Sequence, residues 1–162
     1  MAEGHVLDEL FMQVNHLHHL RAHMLLNGIG LYRGRPPILF FLRENGPCSQ
    51  KQIADYLRIN PATMTVMLGR MEKDGLIERR QDTVDARVTK VNVTEKGLES
   101  CKAAEKCMDK LRSELYKDFS DEEREALERT FAKMRANLTE AILKDGGDVP
   151  DLDHPPVFKK RK

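Results

Sequence analysis

A short run of small polar side chains, Ala62, Thr63 and Thr65, sits directly behind Asn60-Pro61, with Arg70 further along. Threonine hydroxyls donate or accept at base edges, threonine methyls meet thymine methyls, and short side chains let the backbone come close to a groove. Arg70 suits a base or a phosphate. Asn60 is a good helix N-cap, and Pro61 brings a φ already suited to a first helical position. Upstream, Ser49 with Gln52 three residues on forms a capping box, which predicts a helix start whose free N–H groups face outward toward a phosphate. Downstream, Asp85-Ala86-Arg87 lies in a polar loop between two β-like segments. Arg87 at a hairpin tip can enter a minor groove, where A·T-rich stretches concentrate negative potential. Asp85 is placed to aim that guanidinium. The chemistry these residues point to is contact with double-stranded DNA.

The elements that must position them read off in order between Ser49 and Gly97. An apolar-periodic helix runs through Ile53, Ala54 and Leu57, and a second runs from Asn60-Pro61 to Asp74-Gly75. Met64, Met67, Leu68 and Met71 include its inward face, while Gly69 reads equally as close packing or as a tolerated glycine. Two segments, Leu76 to Arg80 and Val88 to Val93, make a charged hairpin, and Thr94-Glu95-Lys96-Gly97 starts the next helix. Helix, turn, helix and wing in this order lay one helix in a DNA groove. A capped helix alone can bind protein, and a charged hairpin alone can be a solvated turn; the ordered combination carries the reading.

The flanks are helical. Leu7, Leu10, Phe11, Val14, Leu17, Met24 and Leu25 recur at three- and four-residue steps, predicting a helix from about Val6 to Leu26 that ends at Asn27-Gly28-Ile29-Gly30. Gly34-Arg35-Pro36-Pro37 opens a short helix that is apolar on nearly every side and stops at Asn45-Gly46-Pro47. Thr94 caps a long helix to Tyr116 or Lys117, and Ser120 with Glu123 opens another carrying Leu127, Phe131, Met134, Leu138, Ala141 and Ile142. The fold class is mainly α with a small β-wing (α+β): a winged helix-turn-helix between N- and C-terminal dimerisation helices. Residues 1–33 read as an N-terminal dimerisation helix, 34–97 as the winged DNA-binding region, 98–147 as C-terminal dimerisation helices and 148–162 as a basic-ended tail. The outer helices carry more apolar surface than one small winged module covers, which predicts a homodimer. The alternative is a monomer with those helices folded onto its own module.

Composition narrows the classes. Of 162 residues, 40% are hydrophobic and 33% charged, with 6% aromatic and no Trp, which argues against a stacking platform for single strands. Net charge is only +1. Ser49 to Lys90 holds eight basic and six acidic side chains, so DNA binding must rest on their placement. No apolar run approaches the ~18 residues of a membrane span. No secretory signal is visible, so a cytoplasmic location is expected. Cys48, Cys101 and Cys107 have no metal-cluster spacing and are expected as free thiols. No nucleophile elbow, phosphate loop, zinc-hydrolase motif or carboxylate pair is found, so neither an enzyme nor a cofactor is expected.

From Val6 to Lys144 the chain resembles the multiple-antibiotic-resistance regulator (MarR) family. The wing carries the most specific match: Asp85-Ala86-Arg87 followed by Val93-Thr94-Glu95-Lys96-Gly97 is similar to the family's D-x-R…L-T-x-x-G signature. Met71-Glu72-Lys73-Asp74-Gly75-Leu76-Ile77-Glu78-Arg79 resembles its passage from recognition helix to wing. Val93 replaces the usual leucine, and Thr83-Val84 precede Asp85. The resemblance implies a homodimeric repressor or activator that reads a pseudo-palindrome and is tuned by a small effector between dimer helices and winged module. By family analogy Tyr32, Arg33, Arg35, His16 and His19 are candidates to bind an aromatic acid. Two other controls are open. His16, His19 and His23 share one helix face and suit Zn²⁺ if other ligands join them, with Cys101, Glu105 and Cys107 candidates by type alone. Cys48, just before a helix start, could hold a thiolate, although a small buried residue is the commoner role. A winged module that binds only protein is the remaining alternative.

Overall fold

Local capping chemistry sets where the helices begin. The computed structural model describes residues 2–32, 34–82 and 88–149. Arg33, the wing residues 83–87 with Asp85 and Arg87 among them, and the tail beyond Val149 lie outside the described residues. In chain order the elements are α1 Ala2–Asn27, α2 Arg35–Asn45, β1 Cys48–Ser49, α3 Gln50–Leu57, α4 Pro61–Lys73, β2 Ile77–Gln81, β3 Thr89–Val93, α5 Glu95–Leu115 and α6 Asp121–Lys144. The chain divides into two compact units, Met1–Leu111 and Arg112–Lys162, with the boundary inside α5. Among the described residues no helix is long and apolar enough to cross a membrane.

Both expected capping boxes close. Ser49 Oγ accepts from Gln52 N (3.3 Å) while Ser49 N donates to Gln52 Oε1 (2.9 Å). Ser120 Oγ accepts from Glu123 N (3.2 Å) and Ser120 N donates to Glu123 Oε2 (2.8 Å). Asn60 Oδ1 accepts from Ala62 N at 2.9 Å, with Pro61 at the first helical position. Each of these satisfies donors that a helix start otherwise leaves open.

Within the first unit a core gathers Ile38, Leu39, Leu42 and Ile53 from α2 and α3 with Met64, Leu68 and Met71 of α4 and Val91 of the sheet. Met64, Leu68 and Met71 have no exposed surface. They lie at four- and three-residue steps, so one stripe of α4 is buried and the opposite stripe faces out. Truncating any one to alanine costs about 2–5 kcal/mol.

The sheet has three antiparallel strands in the order β1-β3-β2, one more than expected. Cys48 pairs with Val91 and Ser49 with Lys90. Two residues are too few for a period-2 pattern to register. Ser49 serves twice because an N-cap residue is extended (φ −69°, ψ 153°), the conformation a strand also needs.

Thr94 and Gly97 clasp the start of α5 to the end of α4. Thr94 N donates to Leu76 O (3.1 Å), Thr94 Oγ1 donates to Gly75 O (2.7 Å), and Gly97 N donates back to Thr94 Oγ1 (3.1 Å). Lys96 Nζ reaches Asp74 O at 2.7 Å. A Cβ on Gly97 would overlap the Leu76 carbonyl oxygen, which is backbone and cannot swing aside. This accounts physically for the threonine and glycine of the motif.

In the second unit α6 buries none of its residues, and Phe131, Met134, Leu138 and Ile142 stand exposed at three- and four-residue steps. In the first unit α1 is alike: Leu7, Leu10, Phe11, Val14 and Leu17 are all at least 45% exposed.

Gly97→Ala is expected to cost about 2–3 kcal/mol, the range of an overpacked core site without room to relax. Urea unfolding checks it, and wild-type stability would refute the close approach.

Candidate nucleic-acid interface

The buried stripe of α4 determines what its other side offers. Ala62, Thr65, Val66 and Gly69 lie three and four residues apart on the exposed side, with Thr63 and Arg70 beside them. The face is narrow and small-featured, carrying one apolar branch, Val66 at 53% exposure. A Cβ added at Gly69 would meet nothing within 4 Å, so this glycine leaves clearance on the outer face and has no packing role. Val66 escaped the sequence reading, which sorted residues by hydrogen-bonding chemistry; counting four from Ala62 places it on the face.

Thr65 is already engaged. Its hydroxyl donates to Pro61 O at 2.9 Å and accepts from Gln50 Nε2 at 2.5 Å. That bridge joins the first residue of α3 to the second turn of α4. The Thr65 hydroxyl is therefore bonded on both sides, as donor and as acceptor. The Ser49 hydroxyl is likewise held by Gln52, donating to Oε1 at 3.0 Å, so Ser49 acts as a cap. Gln50 was not singled out from sequence because its partner lies 15 residues away.

Pairing sorts the charges. Asp74 binds Arg35 (2.7 Å), Glu72 binds Arg79 (3.4 Å), Glu78 binds Arg80 (2.9 Å) and Asp82 binds Lys90 (2.5 Å). Four of the six acids between Ser49 and Lys90 are thus neutralised locally. Lys51, Arg58, Arg70 and Lys73 enter no ion pair among the described residues, and all four are exposed. Arg58 ends α3 in the left-handed region (φ 52°), placing its guanidinium at the turn between the two helices. A region whose net charge is small thereby keeps its available cations on α3, the turn and α4, as phosphate contact requires. The wing-tip residues Asp85 and Arg87 lie outside the described residues.

The effector candidates are partly committed elsewhere. Arg35 is 13% exposed in its side chain, ion-paired with Asp74 and 5.0 Å over the Tyr32 ring, so it ties the start of α2 to the end of α4. Arg33 lies outside the described residues. His16, His19 and His23 are exposed on α1, and His23 accepts from Asn27 Nδ2 at 3.2 Å. Among the described residues no three His, Cys, Asp or Glu side chains form a metal-holding group. Helical spacing aligns the imidazoles of His16, His19 and His23, but no donor from another described element converges on them. Cys48 takes the commoner of its two roles, a small buried residue. It is 7% exposed, its thiol donates to Gly46 O at 3.3 Å, and burial pushes its pKa up against a smaller opposing effect of Lys90. Desolvation, which disfavours the thiolate, outweighs the pull of the nearby positive charge. Cys101 is fully buried and pushed up to about 11 by burial, with Arg43 opposing and Glu105 adding.

The MarR family pattern matches residues 35–89, from the start of α2 to the first residue of β3. YwoH, an uncharacterised HTH-type transcriptional regulator of Bacillus subtilis, is 33% identical over 131 residues, 79% of this chain and 95% of that protein. The chain belongs to the MarR family. As a MarR family protein it is a DNA-binding transcriptional regulator and not an enzyme. The HTH-type transcriptional repressor IacR of Pseudomonas putida is 30% identical over 114 residues, 70% of this chain and 68% of that one. The winged-helix fold is shared with a mutant of S. aureus MepR bound to an oligodeoxyribonucleotide, with a TM-score of 0.64 and 24% identity over 81% of this chain and 96% of that one.

Two outcomes follow for this MarR family protein. Gly69→Ala should raise stability by about 1 kcal/mol in urea unfolding, since the site is open and alanine is the better helix former. A destabilised variant would show that the glycine packs against protein. At pH 8 an alkylating reagent should modify half-buried Cys107 first and reach Cys48 and Cys101 only after unfolding. Equal native and denatured rates at Cys101 would overturn its assignment as an inert core thiol.

Proposed function

We propose that the protein is a homodimeric repressor in the cytoplasm that reads a pseudo-palindromic operator and is released or tuned by a small effector. The observation that carries the operator reading is the exposed face of α4, Ala62, Thr63, Thr65, Val66, Gly69 and Arg70, flanked by Lys51, Arg58 and Lys73, which enter no ion pair among the described residues. Short side chains bring the helix close to base edges, and the surrounding cations supply the phosphate term that holds it there. Asn60 sets the helix start. Arg87, aimed by Asp85, is the wing's minor-groove contact.

The dimer is supported by the stripes on α1 and α6, whose apolar side chains stand in water in a lone chain. Contiguous exposed apolar surface of this kind marks an interaction site. We assign residues 1–33 and 98–147 to dimerisation, 34–97 to DNA binding and 148–162 to a tail. Two-fold symmetry then makes the operator an inverted repeat with half-sites about one helical turn apart. The repressor sign follows the relative IacR, an HTH-type transcriptional repressor. An effector is assigned by family analogy, with Tyr32, His16 and His19 as its contacts and Arg33 and Arg35 beside them.

Selection of bound duplexes from a random pool tests the reading, and an enriched inverted repeat is the expected result. Enrichment of nothing, with and without candidate aromatic acids, would favour a module that binds protein only. Arg87→Ala should weaken binding to the selected repeat and reduce the slope of log affinity against log salt by about 1 per wing, with the dimer intact in sedimentation. Unchanged affinity would remove Arg87 from the interface.

A further inference from the structure

We propose that Gln50 is a base-reading residue whose amide is aimed by Thr65 at an adenine in the major groove; this rests on the operator reading above. The hydroxyl proton of Thr65 goes to Pro61 O at 2.9 Å, so the Thr65 oxygen presents only lone pairs to Gln50. An amide oxygen there would set acceptor against acceptor. The group that fits is the amide nitrogen, and Gln50 Nε2 donates at 2.5 Å. With the hydroxyl proton assigned to Pro61 O, the amide orientation follows from the hydrogen-bond network.

A glutamine amide has two N–H donors and one carbonyl acceptor. One donor is spent on Thr65, which leaves Oε1 and the second N–H. Together those two groups match an adenine edge: Oε1 accepts from the N6 amino group and the N–H donates to N7. The bridge also fixes the amide before binding, which lowers the entropy lost when a long side chain is immobilised. Gln50 is the first residue of α3 and meets Thr65 on the outer side of α4, beside Val66. Thr65 thus acts as a positioning residue for Gln50.

The test uses the full-length protein and the duplex it selects. Gln50→Ala should lose the preference for adenine at one symmetry-related position, with affinity for the selected duplex falling about tenfold per half-site. Thr65→Val keeps the methyl, removes the hydroxyl, and should lose the same preference, with little added loss in the double variant. Replacing that adenine by 7-deazaadenine removes N7; it should weaken the wild type and leave Gln50→Ala unaffected. A uniform loss across all sequences, with the same motif selected, would overturn the proposal and reduce Gln50 to a scaffold or phosphate contact. Equal sensitivity of wild type and Gln50→Ala to the 7-deaza base would also overturn it. Failure of the unaltered protein to select any duplex would strike the operator reading itself, and this proposal with it.

Discussion

The burial of Met64, Leu68 and Met71 governs the rest of the molecule. Those three side chains have no exposed surface, and a helix is rigid about its axis, so packing them inward fixes which residues of α4 look out. Rotating α4 by a third of a turn would expose methionine and leucine and sink Val66 and Arg70, at a cost of several kcal/mol per side chain. The small-featured face is therefore a consequence of the core, and the core is the reason it can be presented to DNA without wobble.

A second constraint acts at the far end of α4. The turn Asp74-Gly75-Leu76 receives three hydrogen bonds from the first residues of α5 and the threonine before it, and Gly97 lies so close to the Leu76 carbonyl that no side chain fits. Arg35 adds an ion pair from α2 to Asp74. Helix α4 is thus held at both ends, by Asn60 capping and the Gln50–Thr65 bridge at its start and by the clasp at its finish. A change at either end alters how the face is presented with no contact to DNA being touched.

Much of the architecture was readable one residue at a time. Capping boxes at Ser49 and Ser120, Asn60-Pro61 and the apolar steps of each helix use only near neighbours in sequence, and each appears in the structure where expected. β1 was missed because two residues carry no pattern. For the histidine face of α1, spacing shows which residues share a face but not what lies opposite. For Cys48, proximity to a helix start is local, whereas desolvation depends on the neighbours that bury it.

What the sequence by itself determined are the properties that arise within a few residues: helix starts and stops, the inward stripe of α4, and the threonine and glycine that a tight turn demands. Tertiary structure alone decided the pairings across long separations. It spent acids of the winged region on neighbouring arginines and lysine, and left Arg58 and Arg70 without an ion pair among the described residues. It also paired Thr65 with Gln50, fifteen residues away. The physical reason is that hydrogen bonds and ion pairs act over about 3 Å of space, whatever the distance along the chain.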